Sequence, residues 1–117
     1  MNLRSIRGAI QVGANTPEEI ASGVKELLPA ILEANSLTAD QVISVILTCT
    51  PDLNAAFPAA FAREIGFGAV PLLCAVEMDV PGALPLVIRV MLHAELSDMA
   101  NHVYLRGATA LRRDLAQ

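Results

Sequence analysis

The stretch from Cys74 to His93, CAVEMDVPGALPLVIRVMLH, holds most of the chain's candidate chemistry. A thiol and a carboxylate, Cys74 and Glu77, fall in a turn region broken by Pro81, Gly82 and Pro85. A strand pattern follows, with Leu86, Ile88, Val90 and Leu92 alternating with Val87, Arg89, Met91 and His93. Such period-two alternation predicts a β-strand with one buried face. Arg89 sits mid-strand on the face opposite the aliphatic row. An arginine buried there without a partner would cost several kcal/mol, so it needs an anion or an acceptor.

Two further strands carry polar groups in the same way. Arg7 lies opposite the row Ile6, Ile10 and Val12, and Tyr104 lies opposite Val103, Leu105 and Leu111. A solvated sheet face accounts for any one of these residues. Three such strands in a chain poor in charge point instead to an electropositive patch, provided the strands are neighbours. Guanidinium forks match carboxylates and phosphates, so the patch would select a small dicarboxylate or a phosphorylated metabolite. Glu77 is the anionic counterpart, for a hydroxyl donor or for one of the arginines. Cys74 as a nucleophile lacks a paired histidine, since His93 and His102 fall on predicted strands and read as structural. No glycine-rich phosphate loop is present, because RGAIQVGAN lacks the required spacing.

The elements that must position these groups are legible in outline. Residues 2–12 alternate as a half-buried strand. Thr16 then caps a helix, with Pro17 at its first position and Glu19 completing a capping box. Ile20, Val24, Leu27, Leu28, Ile31 and Leu32 follow helical spacing, Pro29 should kink the helix, and Asn35 and Ser36 end it. VISVILTC (42–49) is apolar on both faces apart from Ser44 and Thr48, which predicts a strand covered on each side. A crossover of this length makes the first two strands parallel. TPDLNA is a turn, Pro58 starts a short helix that stops at Gly66 and Gly68, and residues 70–73 form a short strand. Residues 95–101 read as a connection and 102–111 as the last strand.

Composition narrows the function. The chain has 117 residues, expected to make one domain, and is 54% hydrophobic with only 17% charged residues. No run reaches the ~18 apolar residues of a membrane span, and MNLRSIRG does not open a signal peptide. The apolar surplus is therefore expected to meet another subunit in a homo-oligomer rather than lipid. A net charge of −4 with dispersed cations argues against a nucleic-acid surface. Cys49 and Cys74, without metal spacing, read as reduced thiols of a cytoplasmic protein.

IRGAIQV, TPDLNAAFPA, VPLLCAVEMDVPGALPLVIRV, HVYL and LRRDL, in this order and spacing, resemble the monofunctional AroH-type chorismate mutases over nearly the whole chain. The resemblance implies an α/β (α+β) fold, a mixed sheet with helices on one side, assembled as a pseudo-α/β-barrel homotrimer with active sites between subunits. It implies the Claisen rearrangement of chorismate to prephenate, in phenylalanine and tyrosine biosynthesis, with no metal or organic cofactor. By the same resemblance, Arg89 donates to the ether oxygen of the breaking bond and to a substrate carboxylate. Arg7 and Tyr104 hold the side-chain carboxylate, Glu77 meets the ring hydroxyl, and Cys74 lies beside it. Phe57, Ala59, Leu72 and Leu73 correspond to pocket wall. Arg63 and Arg112 correspond to cations at the mouth, which Leu111 closes. Ala60 stands where certain members have lysine, the 95–101 connection is shorter than usual, and Arg113 replaces a common proline. Two rivals keep an arginine in a trimer cleft or a metabolite site: an enamine/imine deaminase-like enzyme, and a non-catalytic binder of an aromatic-pathway intermediate.

Overall fold

The computed structural model describes residues 1–112, so Arg113 lies outside the described residues. Five strands form one mixed sheet: β1 (Asn2–Gln11), β2 (Val42–Cys49), β3 (Leu72–Val76), β4 (Val87–Leu96) and β5 (Val103–Leu105). Two helices, α1 (Pro17–Ala34) and α2 (Pro58–Ala62), accompany them. The strand order is β3-β2-β4-β1-β5. β4 is antiparallel to both β1 and β2, whereas β5 is parallel to β1 and β3 is parallel to β2. The first two strands thus run in the same direction, as predicted, but β4 lies between them. This topology puts the arginine strand at the centre of the sheet, where both of its edges are hydrogen-bonded.

α1 buries the stripe Ile20, Gly23, Val24, Leu27, Leu28 and Ile31. That stripe covers one face of the sheet, meeting Ile6 and Ile10 of β1 and Ile88 and Leu92 of β4 in a continuous core. Thr16 caps the helix by accepting a hydrogen bond from the Glu19 N–H at 3.1 Å. The expected reciprocal bond is redirected: the Glu19 carboxylate accepts from the Gly13 N–H at 2.8 Å, tying the incoming turn to the helix. Pro29 is accommodated within one continuous helix rather than dividing it. Asn35 supplies the C-cap, and its side chain also bonds Asn101, accepting from the Asn101 N–H at 2.8 Å and donating to its carbonyl at 2.9 Å.

Four sequence expectations change. β2 is not covered on each side. Val42, Val45, Leu47 and Cys49 face the core, whereas Ile43 is 47% and Ile46 37% exposed, and a register shift lies between Val42 and Ser44. The short strand falls at Leu72–Val76 rather than 70–73, which takes Cys74 out of the turn and into β3. The last strand ends at Leu105, because Arg106 adopts φ +54° and turns the chain into a 3-10 segment over Arg106–Ala110. The Arg106 guanidinium is held by Glu26 of α1 at 2.7 Å. Gly107 approaches so closely that a Cβ would lie 1.7 Å from Gln11 Oε1, and Ala108 is buried against the sheet. β4, in turn, runs on to Leu96, two residues into the expected connection.

The core should respond as a packed interior does. Leu27 is fully buried between α1 and the sheet. Leu27→Ala is expected to lower unfolding free energy by about 2–5 kcal/mol in urea titrations, through lost burial plus the cavity left behind.

Candidate active site

The face of the sheet away from α1 carries the polar groups. Ala9 of β1 pairs with Arg89 of β4 on one side and with Tyr104 of β5 on the other, so three neighbouring strands deliver Arg7, Arg89 and Tyr104 to one surface. Together with Thr48 and Glu77 they line a cavity of about 230 Å³, walled by Ile46 and Met91. Tyr104 is buried in a small second cluster with Ala9, Val87 and Ala108, against which Leu111 packs. The middle of β5 therefore builds one wall of the cavity.

Glu77 follows β3 directly, and its N–H donates to the Cys49 carbonyl at 2.8 Å. Its Oε2 accepts from the Thr48 hydroxyl at 2.6 Å and stands 4.0 Å from Arg89 Nε. That separation permits attraction but no hydrogen bond. Arg89 Nε is buried and has no hydrogen-bond partner, although the side chain as a whole is 43% exposed. A buried donor on a charged group left unmatched is costly, and such atoms mark places where a ligand supplies the acceptor. Among the described residues, two guanidiniums against one carboxylate leave the lining net positive. The cavity is suited to an anion with more than one acceptor group.

The start of β4 is fixed by a separate set of bonds. Leu86 adopts φ +57°, an uncommon conformation for a branched residue. Its N–H donates to both Asp52 oxygens at 3.2 and 3.0 Å, and its carbonyl accepts from the Val12 N–H at 2.9 Å. Buried Thr50 accepts from the Val87 N–H at 3.0 Å and its own N–H donates to the Val87 carbonyl at 3.0 Å. The TPDL turn thus clamps the backbone two residues before Arg89.

The other predicted residues gather elsewhere. Cys74 and Phe57 line a second, more apolar cavity of about 420 Å³ with Cys49, Leu53 and Pro58. Cys74 lies on the α1 side of the sheet, so in one chain it does not share the cavity of Glu77. Burial, then the nearby charges of Cys74 and Asp52, push the Cys49 thiol up to about 11. Phe57 is 74% exposed. Ala59 is buried in the core, Leu72 packs against it, and Arg63 stands exposed just past α2. Leu73 pairs with Ile46 and is 62% exposed on the open face. Arg112 is half-buried, near enough to His102 to act on its titration. The structure thus brings Arg7, Glu77, Arg89 and Tyr104 together, and sets Phe57, Cys74 and Arg63 apart from them.

Residues 3–115 match the family model described as chorismate mutase type I. The chain belongs to that family. It is 50% identical over 117 residues to chorismate mutase AroH of Thermus thermophilus, covering 97% of this chain and 96% of that protein. It is 43% identical over 120 residues to chorismate mutase AroH of Bacillus subtilis, covering 99% and 94%. The solved structure of a chorismate mutase from Clostridium thermocellum superimposes with a TM-score of 0.89, at 44% identity, over 92% of this chain and 98% of that one. Among type I chorismate mutases, then, this chain is matched in sequence and backbone nearly end to end.

Ile46 and Met91 are the unforeseen apolar walls of the cavity, and Thr48 is the polar residue of its lining that no sequence motif singles out. Its signal was a hydroxyl in an otherwise apolar strand, a signal shared with Ser44, which instead meets His93 at 3.1 Å. Among the described residues no group of three or more His, Cys, Asp or Glu side chains could hold a metal ion, and no helix is long and apolar enough to cross a membrane. His102 sits one residue before β5, not within it, and its Nδ1 accepts from the Arg7 N–H at 2.9 Å. Burial, then Arg7 and Arg112, hold its pKa below the ordinary imidazole value. The folded state thus favours neutral His102, so its contribution to stability is complete above the unfolded pKa of about 6.5 and is lost as pH falls below it. In urea titrations, His102→Gln should flatten that acid limb relative to wild type.

Proposed function

We propose that this chain rearranges chorismate to prephenate in the cavity of Arg89, Arg7, Glu77 and Tyr104. The observation that carries the reading is the buried, unmatched Arg89 Nε at that cavity in a chorismate mutase fold. As the ether C–O bond breaks ahead of C–C formation, negative charge collects on the enolate-like oxygen. A fixed guanidinium interacts more strongly with that oxygen than with the ether of the substrate, which is the condition for acceleration. Arg7 and Tyr104 hold the side-chain carboxylate, and Glu77 accepts from the ring hydroxyl. Holding the substrate in a compact, chair-like conformer removes part of the entropic barrier. The step breaks one bond and forms another within one molecule, so these residues need move no proton.

The second group of residues supports a shared site. Phe57, Cys74 and Arg63 stand apart from the Arg89 cavity of their own chain. Ile46, Leu73, Val76, Met78 and Val80 are large apolar residues left exposed. Both facts are accounted for if each chain, acting as one domain over residues 1–117, docks its Phe57–Cys74 side against the Arg89 cavity of a neighbour. The assembly we propose is the homotrimer, a cytoplasmic enzyme of aromatic amino acid biosynthesis. Leu111 and Arg112 would close the mouth, with Ala59, Leu72 and Leu73 supporting the wall.

The test is loss of chorismate absorbance with appearance of prephenate. Arg89→Ala should lower kcat by at least the 10²–10³-fold, about 2.7–4 kcal/mol, typical of one lost preorganised donor, with an unchanged circular dichroism spectrum. Arg63→Ala should chiefly raise KM, and Cys74→Ala should keep substantial activity; an inactive but folded Cys74→Ala would instead indicate a nucleophile. Sedimentation equilibrium should give three times the 12.4 kDa chain. A monomer that turns over chorismate at full rate would refute the shared site.

A further inference from the structure

Thr48 occupies the position in β2 directly opposite Arg89 in β4, so the two side chains rise together from the open face of the sheet. Glu77 enters between them from the end of β3, anchored by its own N–H on the Cys49 carbonyl at 2.8 Å. Its Oε2 is then shared unequally. The Thr48 hydroxyl donates to it at 2.6 Å, whereas Arg89 Nε stands 4.0 Å away and bonds to nothing. A carboxylate this close to a guanidinium would ordinarily close into a charge-assisted hydrogen bond. Here the Glu77 backbone is fixed by Cys49 and its carboxylate by the Thr48 hydroxyl, and the carboxylate stops short.

We propose that Thr48 is a positioning residue: its hydroxyl holds Glu77 clear of Arg89, so that Nε keeps its donor for the ligand. The proposal rests on the reading of this cavity as the site of rearrangement and adds to it a reason for the resting geometry. If Glu77 closed onto Nε, the guanidinium would enter the reaction already paired, and substrate would have to break that bond before gaining its own. The held geometry leaves the donor preorganised and leaves the second carboxylate oxygen of Glu77 for a hydroxyl.

Thr48→Val removes the hydroxyl while keeping the β-branched shape that suits β2. Thr48→Ser restores the hydroxyl without the methyl group. Two readouts apply to each variant, with circular dichroism as the check on folding. The first is kcat against KM for chorismate. The second is the Arg89 Nε–H resonance in ¹⁵N-detected spectra of the ligand-free protein, assigned by its loss in Arg89→Ala. Thr48→Val should lower kcat about 10–100-fold, the worth of one charge-assisted hydrogen bond, with little change in KM, and should move the Nε–H resonance downfield as Glu77 closes on it. Thr48→Ser should match wild type in both. Thr48→Val with wild-type kcat, or with the resonance unmoved, overturns the proposal, as does Thr48→Ser as impaired as Thr48→Val. If the wild-type protein leaves chorismate unchanged, the assignment of the reaction fails, while the resonance still decides whether Thr48 holds Glu77.

Discussion

A guanidinium fixed on a largely aliphatic sheet, with one of its donors buried and unmatched, is the constraint to which the rest of this molecule answers. Desolvating a charge costs several kcal/mol unless partners compensate, so a chain that keeps Arg89 in this state must hold it by other means. The means are structural. β4 lies at the centre of the sheet with strands bonded to both edges. Its start is clamped by Thr50 and Asp52, which stabilise the left-handed backbone of Leu86. Its other face is sealed by α1 through Ile88 and Leu92. The backbone that carries the guanidinium is therefore held from both edges and from below, while the side chain itself stays 43% exposed toward the cavity.

Much of this was legible in the sequence, and the reasons are specific. The alternation of residues 86–93 could be read because period two is enforced wherever one face of a strand is buried, and Arg89 interrupts it visibly. The N-cap at Thr16 and the stripe of α1 were legible for the corresponding reason at period 3.6. β2 misled because Ile43 and Ile46 are apolar yet exposed; composition does not distinguish a face covered by the chain's own helix from one left open. β5 misled because its end is set by Arg106, whose partner Glu26 lies 80 residues away and leaves no local signal. Although the strand covers Leu72–Val76, the apolar run at 70–73 marks β3 two residues too early and leaves Cys74 in a turn beside Glu77. Once it is in the strand, alternation sends it to the opposite face. Thr48 was visible as a hydroxyl among aliphatics, but its meaning depends on the β2–β4 register, which no local pattern reveals.

Electrostatics and packing are coupled in this cavity more closely than its small size suggests. Among the described residues Glu77 is the only anion in the lining, with its Oε2 4.0 Å from Arg89 Nε. A second positive group, Arg7, comes from β1, and its backbone N–H is tied to the neutral His102 ahead of β5. Protonating that imidazole would remove the acceptor and add a third positive charge beside Arg7. Burial first, then the charges of Arg7 and Arg112, hold the His102 pKa down, so the contact that orders the Arg7 backbone also keeps its acceptor neutral.

The division of the remaining candidates over the two sides of the sheet follows from the same geometry. A strand that presents Arg89 to one face must give its aliphatic row to the other, and that other face is filled by α1. Cys74 and Phe57, on the α1 side beyond the edge of that core, have no route around the sheet to the Arg89 cavity of their own chain. β3 is the edge strand on that side, and the large apolar residues at Leu73, Val76 and Met78 lie along it or just past it. An exposed edge with this composition is unfavourable in water and open to pairing unless something covers it. A neighbouring copy that covers it with its own Arg89 cavity would bring the charges to an edge that already supplies an apolar wall and a thiol. The proposed division of labour, charge from one protomer and the Phe57–Cys74 wall from the next, thus has a physical origin: those two groups stand on opposite sides of one sheet and meet only across two copies.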